Sequence, residues 1–273
     1  MTDTKPVRSQ EHKMKGHIPV LHVSERLLPE AWEKSVLSAW KHGIEVETEY
    51  DRPNDPPSKD CTMMITVKEP FAEPRIHRSF PAKLEDLETY RLEVVNGIHD
   101  NRVGEGRWPY SYHQRLFSYA GKIDQLSCVV RKLAKTPYTR RAQAITWIPA
   151  RDSRSDEPPC LQRLHFRLLP GNDGLVLNMN AHWRSRDAFK AAFMNMWALT
   201  DLQRAIAEQL QNQIKQPVYS GGYMDISDSY HIYGKDWKEF ERFLSSVRTR
   251  PFDKRTWPTS FAAPFFEKAR EAK

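Results

Sequence analysis

In residues 175–184 (LVLNMNAHWR), apolar and polar side chains alternate strictly from Leu177 to Arg184. Successive side chains of a β-strand point to opposite faces, so this period of two predicts a strand with one face packed against a core. The other face must meet either water or a polar site, because it carries Asn178, Asn180, His182 and Arg184. The chain must therefore build a sheet that apolar side chains cover on at least one side.

Helical and extended patterns interleave along the rest of the chain. A long helix is predicted over residues 187–212, where Phe189, Phe193 and Met196 belong to one apolar stripe. Further helices are predicted over residues 28–43 and 84–97 and from residue 231 onward. Further strands are predicted over residues 18–23, 61–67, 142–148 and 161–169. Loops are predicted over residues 50–60 and 100–109, and a turn into a strand over residues 220–227. This order contains no Gly-rich dinucleotide loop.

The mixed order of elements predicts a single domain of the α+β class. We expect a mobile polar tail over residues 1–16 and one domain over residues 17–273. That domain would hold a mixed β-sheet packed with helices, one of them a long central helix.

Composition excludes several classes of protein. Aromatic residues make up 11% of the 273 residues, which argues against intrinsic disorder. No apolar run approaches the length of about 18 residues that a transmembrane helix needs, and the charged N-terminus lacks the apolar centre of a signal peptide. The 3 cysteines are too few for a disulfide framework. We therefore expect a soluble globular protein of the reducing cytoplasm.

The net charge of +7 is concentrated in one stretch. Residues 131–187 hold eleven basic and five acidic residues, and nine of the eleven are Arg. Arg binds phosphate through parallel N–H donors, so the stretch indicates a nucleic-acid surface, a site for a smaller phosphate ligand or a solvated face. Two clusters are of phosphate-binding type: Arg140 with Arg141, and Arg184 with Ser185.

One cysteine is a candidate nucleophile. Cys160 follows two prolines at the start of a predicted strand, and nearby Arg charges are expected to lower its pKa below the usual value of about 8.5. Cys61 and Cys128 lie in apolar runs and are expected to be buried. A cysteine hydrolase that pairs Cys160 with His231 is one open interpretation.

Polar side chains outside the Arg clusters could bind a small ligand. Asn195 lies among apolar residues and offers donors and an acceptor that suit the edge of a nucleobase. His231 and Tyr233 are two residues apart on an extended segment, so they project to one side and could bind a hydroxyl together. Neither a CxxC nor an HExxH pattern occurs, and no metal site is expected.

The order of these residues carries a family resemblance. Along the chain stand Arg140 and Arg141 before Trp147, then PPC at 158–160, then RSRD at 184–187, and last Asn195 and HIY at 231–233. This order resembles the folate-dependent thymidylate synthases, and more closely an archaeal-like branch of that family. The resemblance covers roughly residues 20–245, is specific between 137 and 233, and implies the thymidylate synthase fold.

The resemblance implies a reaction and its site residues. The enzyme would be a methyltransferase and a homodimer with shared active sites, turning dUMP into dTMP with 5,10-methylenetetrahydrofolate or a related pterin carrier and no metal. The implied roles are as follows: Cys160 attacks C6 of uracil, Arg184 and Ser185 bind the 5′-phosphate, Arg140 and Arg141 reach the phosphate of the neighbouring subunit, Asn195 bonds uracil N3–H and O4, His231 and Tyr233 hold the 3′-hydroxyl, Asp187 contacts the folate, and Tyr112 transfers protons.

The chain departs from the family pattern at several positions. Leu161 stands where His commonly follows the nucleophile, and Trp183 stands where Gln commonly precedes the RS pair. The family's catalytic glutamate has no clean match. Counting back from Gly97 leads to Tyr90, so Glu93 and Glu88 are the candidates for this glutamate. Arg52 or Lys59 is the candidate for the basic residue of the family's N-terminal phosphate loop. The C-terminus, SFAAPFFEKAREAK, lacks the family's apolar end.

Two further hypotheses stay open at this stage. A pyrimidine-nucleotide hydroxymethylase on the same scaffold would use water in place of hydride in the last step. A non-catalytic RNA-binding protein would instead use the Arg-rich stretch, and its affinity would fall with salt. Membranes are not expected as partners.

Overall fold

The structure, a computed structural model, describes residues 16–272. The predicted tail lies outside the described residues, except for Gly16. The strands are β1 (Val20–Glu25), β2 (Ile44–Val46), β3 (Ser58–Val67), β4 (Ile76–His77), β5 (Gln143–Ile145), β6 (Leu161–Pro170), β7 (Leu175–Asp187), β8 (Val218–Ile232) and β9 (Thr256–Trp257). The helices are α1 (Leu28–His42), α2 (Leu84–Asn96), α3 (Asn101–Gly104), α4 (Tyr112–Phe117), α5 (Gln125–Lys135), α6 (Pro149–Asp152), α7 (Ala192–Ile214), α8 (Trp237–Thr249) and α9 (Thr259–Glu271).

Seven of these strands form one mixed sheet. Its order is β1-β3-β8-β7-β6-β5, with β2 paired to β3 at the side. The pairs β1–β3 and β7–β8 are parallel, whereas β3–β8, β6–β7 and β5–β6 are antiparallel. Helices pack on the sheet, with the 23-residue α7 across β7 and β8. The α+β class, the mixed sheet and the long central helix are therefore confirmed. Between residues 16 and 272 no helix is both long and apolar enough to cross a membrane.

The alternation along β7 has the predicted structural effect. Leu177, Met179 and Trp183 are buried, while Asn178 and Asn180 on the opposite face are only partly buried. The apolar face meets a core to which α7 contributes fully buried aromatic and aliphatic side chains. The second face of the sheet stays open in the single chain.

Several predicted boundaries were wrong. The long helix begins at Ala192 rather than at residue 187, because β7 continues to Asp187, which pairs with His231 of β8. For the same reason the C-terminal helix α8 begins only at Trp237, and α9 was not predicted. The strand expected over residues 142–148 is shortened to β5, and the loop over residues 100–109 contains α3.

Residues 220–227, predicted as a turn into a strand, all belong to β8, so the strand was predicted correctly and the turn was wrong. A Cβ at Gly221 would lie only 2.5 Å from Cγ1 of Val176 on the neighbouring strand, so the glycine allows a close approach of two strands. A pairing between strands so distant in sequence gives no local signal.

A buried ion pair joins β7 and β8. Nη1 of Arg186 lies 2.6 Å from Oδ2 of Asp225, and both side chains are almost completely inaccessible to solvent. Arg186 also donates to the carbonyl of Ala192 at 3.0 Å and lies over the ring of Trp183. Removing one partner of such a pair destabilises a protein by about 3–5 kcal/mol, because the other charge is left buried. The register of the two strands therefore depends on both residues.

Candidate active site

Two cavities meet at Cys160 and Tyr112. The first, of about 390 Å³, is called here the aromatic cavity, and its walls are Tyr50, Tyr90, Trp108, Tyr110, Tyr112, Glu93, Asp156, Glu157, Cys160 and Arg184 among others. The second, of about 210 Å³, is called the polar cavity, and it is lined by Tyr112, Cys160, Trp183, Ser185, Arg186, Asp187, Ala191, Asn195, His231 and Tyr233. The Cys160 side chain thus forms part of the wall of both.

The loop before β6 presents Cys160. The side chain of Arg184, on the adjacent strand β7, donates to the carbonyls of Pro158 at 2.7 Å and Pro159 at 3.2 Å. The backbone N–H of Arg184 donates to the Cys160 carbonyl at 2.9 Å. The same guanidinium lies 3.8 Å from Sγ of Cys160. The thiol is therefore held beside a fixed cation by the pairing of β6 with β7.

The expected direction of the Cys160 pKa was wrong. Burial raises the pKa of the thiol, and the Arg184 guanidinium lowers it by a smaller amount, so the net pKa lies above its usual value. Sequence alone showed many arginines nearby but not the depth of the thiol. Of the other cysteines, Cys61 is buried as predicted, with its pKa raised by burial to about 12, whereas Cys128 is half-buried rather than buried.

Asn195 lies in the first turn of α7 and faces the polar cavity. It is 7% exposed, and its Nδ2 donates to the hydroxyl of Tyr90 at 2.7 Å. The partner that a buried amide needs is thus a phenol on α2. One N–H and the carbonyl oxygen of the amide remain for a ligand.

Three tyrosines surround the cavities near the thiol. Burial raises the pKa of Tyr90, Tyr110 and Tyr112 above the ordinary value for a phenol, so all three stay protonated at neutral pH. The Tyr112 hydroxyl accepts from the backbone N–H of Leu161 at 3.3 Å, next to Cys160. Neutral hydroxyls at this place can donate a hydrogen bond to a ligand or pass on a proton.

The ends of β7 and β8 form the far wall of the polar cavity. Asp187 pairs in register with His231, and the ring of His231 lies 4.5 Å from that of Tyr233. The backbone N–H groups of Phe189 and Lys190 donate to Asp187 at 3.0 and 2.8 Å. Burial raises the pKa of Asp187 to about 6 and lowers that of His231 to about 4, so His231 is neutral at pH 7.

The structure separates the two glutamate candidates. Glu93 lines the aromatic cavity, and its Oε1 lies 2.6 Å from Nδ1 of His99. Glu88 is buried away from both cavities, where it receives hydrogen bonds from Arg91 at 2.8 Å and Arg270 at 2.7 Å. Of the two candidates, only Glu93 therefore lies where it can contact a ligand.

Some predicted residues lie outside the cavities. Arg140 and Arg141 are exposed just before the edge strand β5. Arg52 is exposed on the loop between β2 and β3, and Lys59 forms an ion pair with Glu45 at 2.8 Å. Nine of the predicted residues are brought together at the cavities: Cys160, Tyr112, Asn195, Glu93, Arg184, Ser185, Asp187, His231 and Tyr233. Across residues 16–272, no group of three His, Cys, Asp or Glu side chains could hold a metal ion.

Sequence reasoning gave no role to Trp108 and Tyr110, and it reached Tyr90 only by counting from Gly97. Trp108 and Tyr110 belong to the segment WPYSY, whose aromatic density is a usable signal for a wall that stacks on a flat ligand. Tyr90 gives no such signal, because its contact with Asn195 joins residues 105 positions apart.

A half-buried cysteine between an aromatic and a polar cavity, on a mixed sheet crossed by a long helix, is an arrangement that suits nucleophilic catalysis. The family model for thymidylate synthase matches residues 78–256, so the chain belongs to the thymidylate synthase family. Members of this family are methyltransferase-type enzymes that bind dUMP and a methylenetetrahydrofolate-type donor.

Relatives support this membership. A "Putative thymidylate synthase" of Methanopyrus kandleri is 34% identical over 193 residues, which are 69% of this chain and 84% of the relative. Another of that name, from Methanococcoides burtonii, is 27% identical over 226 residues, 83% of this chain and 95% of the relative. A thermostable thymidylate synthase A from Bacillus subtilis has the same fold, with a TM-score of 0.56, 18% identity, and coverage of 78% of this chain and 82% of its own.

Alkylation of Cys160 is expected to require alkaline pH. Because only the thiolate reacts, the rate with iodoacetamide in a Cys128→Ser background should rise with pH, with a midpoint above about 8.5. Cys61 stays unreactive in that background because it is buried. Arg184→Gln removes the cation that favours the thiolate and should move the midpoint further up. A midpoint below the usual thiol value, or one that Arg184→Gln leaves in place, would contradict this electrostatic description.

Proposed function

We propose that the chain is a thymidylate synthase that methylates dUMP at C5 to give dTMP, with 5,10-methylenetetrahydrofolate or a related pterin carrier as the donor. One observation carries this proposal: the thiol of Cys160 lies on the wall that a polar cavity shares with an aromatic one. A nucleophile in that position can bond to a ligand in the polar cavity while a second ligand lies in the aromatic cavity.

The polar cavity suits a pyrimidine nucleotide. Asn195 can accept from uracil N3–H and donate to O4 with the groups that Tyr90 leaves free. His231 and Tyr233 would hold the 3′-hydroxyl. Arg184 and Ser185 would bind the 5′-phosphate, with Arg52 as a further candidate from the nearby loop. Binding energy from the phosphate and sugar then orients the reacting ring against the thiol.

Addition of the Cys160 thiolate to C6 would make C5 nucleophilic. Negative charge develops on O4 at this stage, where the N–H of Asn195 can stabilise it. Tyr112 and Glu93 lie close enough to the cavities to be the groups that hold or transfer protons. C5 would then bond to the transferred carbon while the ring is still attached to the enzyme. The bonds from that carbon to the carrier nitrogens would break, the C5 proton would pass to a base, and the thiolate would finally leave C6.

The aromatic cavity fits the flat heterocycle of a reduced pterin. Trp108 and Tyr110 supply aromatic faces, and Glu93 supplies a carboxylate that can accept from amino and ring N–H groups. Asp187, on the wall of the polar cavity, would contact the carrier from that side. When bound, the carrier supplies the one-carbon unit and, for methylation, the hydride. A reaction in the cytoplasm is part of the proposal, and it fits the three cysteines being free thiols.

A homodimer with shared sites is also part of the proposal. The second face of the sheet is open in the single chain, with half-buried Met64, Met224 and Ile226 next to polar residues of β7. Arg140 and Arg141 are exposed and reach neither cavity of their own chain, which supports a role in the site of a partner copy. A sheet-to-sheet dimer would cover the open face.

Shared sites predict complementation between two inactive proteins. Cys160→Ala and the double variant Arg140→Ala/Arg141→Ala should each be inactive, because one lacks the nucleophile and the other the partner's phosphate ligands. Co-expressed with different tags and mixed equally, they should regain about a quarter of wild-type activity, since half of the dimers are mixed and each holds one intact site. Purified heterodimers without activity would exclude sharing.

Product analysis tests the reaction itself. With dUMP and methylenetetrahydrofolate, mass spectrometry should find dTMP from the wild type. Cys160→Ala should form no product but bind dUMP within about tenfold of wild type, because the lost bond forms only during reaction. Cys128→Ser is the matched control and should keep full turnover. Formation of 5-hydroxymethyl-dUMP would favour the hydroxymethylase, and normal turnover by Cys160→Ala would exclude the proposed nucleophile.

A further inference from the structure

One ring nitrogen of His231 is buried at the polar cavity without a protein partner. His231 is 6% exposed, and within the described residues its Nε2 has no hydrogen-bond partner. The residue lines the cavity together with Tyr233. A buried polar atom that faces a cavity is a group through which a ligand can be recognised, but whether it donates or accepts depends on the tautomer.

The other ring nitrogen leads to a short chain of hydrogen bonds. Nδ1 of His231 lies 3.1 Å from Oγ of Ser229, and the Ser229 hydroxyl donates to Oδ1 of Asp60 at 3.0 Å. Ser229 and His231 are two residues apart on β8, and Asp60 is the residue of β3 that pairs in register with His231. The antiparallel pairing of β3 with β8 therefore brings the carboxyl group to the histidine through one hydroxyl.

The direction of these hydrogen bonds follows from the donor and acceptor capacity of each group. An ionised carboxylate only accepts, so the single hydroxyl hydrogen of Ser229 is directed at Asp60. Oγ of Ser229 can then only accept from His231, which places the proton of the neutral imidazole on Nδ1. Burial raises the pKa of Asp60, while Ser229 and the backbone N–H groups of Cys61 and Tyr230 stabilise its ionised form.

We propose that Asp60 and Ser229 are positioning residues that hold His231 as the Nδ1–H tautomer, so that Nε2 presents a hydrogen-bond acceptor to the ligand. The ligand group at this corner must then donate. A sugar hydroxyl does so, and a group of similar size without a hydrogen does not. This selection for a donor rests on the proposed nucleotide function, whereas the tautomer is a property of the protein alone.

The tautomer can be measured without ligand. In protein labelled with ¹⁵N-histidine, the His231 signals are assigned by their loss in His231→Gln, and protonated and unprotonated ring nitrogens resonate far apart. Wild type and Ser229→Thr, which keeps the hydroxyl, should show Nδ1 protonated and Nε2 unprotonated. Ser229→Ala and Asp60→Ala should lose this preference while keeping the wild-type circular dichroism. A protonated Nε2 in wild type, or an unchanged tautomer in folded Ser229→Ala, would overturn the proposal.

Binding of two nucleotides tests the selection. Wild type should bind dUMP at least about 10-fold more tightly than its 3′-fluoro analogue, which has no hydrogen to donate. In Ser229→Ala this ratio should fall to about 3-fold or less, and in Ser229→Thr it should be restored. If wild type shows the predicted tautomer but binds no dUMP, the proposed function fails and the role of Asp60 and Ser229 stands. If dUMP binds tightly to a protein with the other tautomer, the inference fails alone.

Discussion

The ion pair between Arg186 and Asp225 is the interaction on which the site depends most. It joins β7 to β8 in the buried layer at the polar cavity, which Arg186 lines, and Arg186 also donates to the start of α7 at Ala192. Those three elements carry Ser185 and Asp187, His231 and Tyr233, and Asn195. A buried charge pair of this kind fixes one register, because any slip would separate two charges in a medium of low polarity.

Burial shifts the pKa values of Cys160 and of the side chains around it, with different consequences for their chemistry. It disfavours the thiolate of Cys160, and Arg184 offsets that effect only in part. It also keeps Tyr90 and Tyr112 protonated and His231 neutral, so these three side chains act as hydrogen-bond donors and acceptors rather than as charges. Hydrogen-bonding groups that are already held in place can stabilise charge that develops during a reaction without having to reorient.

Local patterns were enough for the fold class and for most of the cavity residues. The period of two along β7 predicted its buried and open faces, and the order from Cys160 through Arg184 to His231 gave side chains that the structure brings together. Properties that depend on pairs far apart in sequence could not be predicted: the extension of β7 to Asp187, the strand at Gly221, and the contact between Tyr90 and Asn195. The degree of burial of Cys160, which reverses the direction expected for its pKa shift, also depends on residues far away in the sequence and could not be predicted. The role of Arg140 and Arg141 in the site of a partner copy stays a prediction, because a single chain does not bring them to a cavity.

The central claim is that the thiol of Cys160 bonds to the pyrimidine ring while a carrier lies in the aromatic cavity. Mass spectrometry of the denatured protein after incubation with 5-fluoro-dUMP and methylenetetrahydrofolate tests it most directly, because fluorine at C5 cannot leave as a proton does and the attached state accumulates. The account predicts a peptide containing Cys160 that carries both ligands, and no such adduct in Cys160→Ala. Ligands bound to a protein whose Cys160 stays unmodified, or an adduct on another residue, would contradict it.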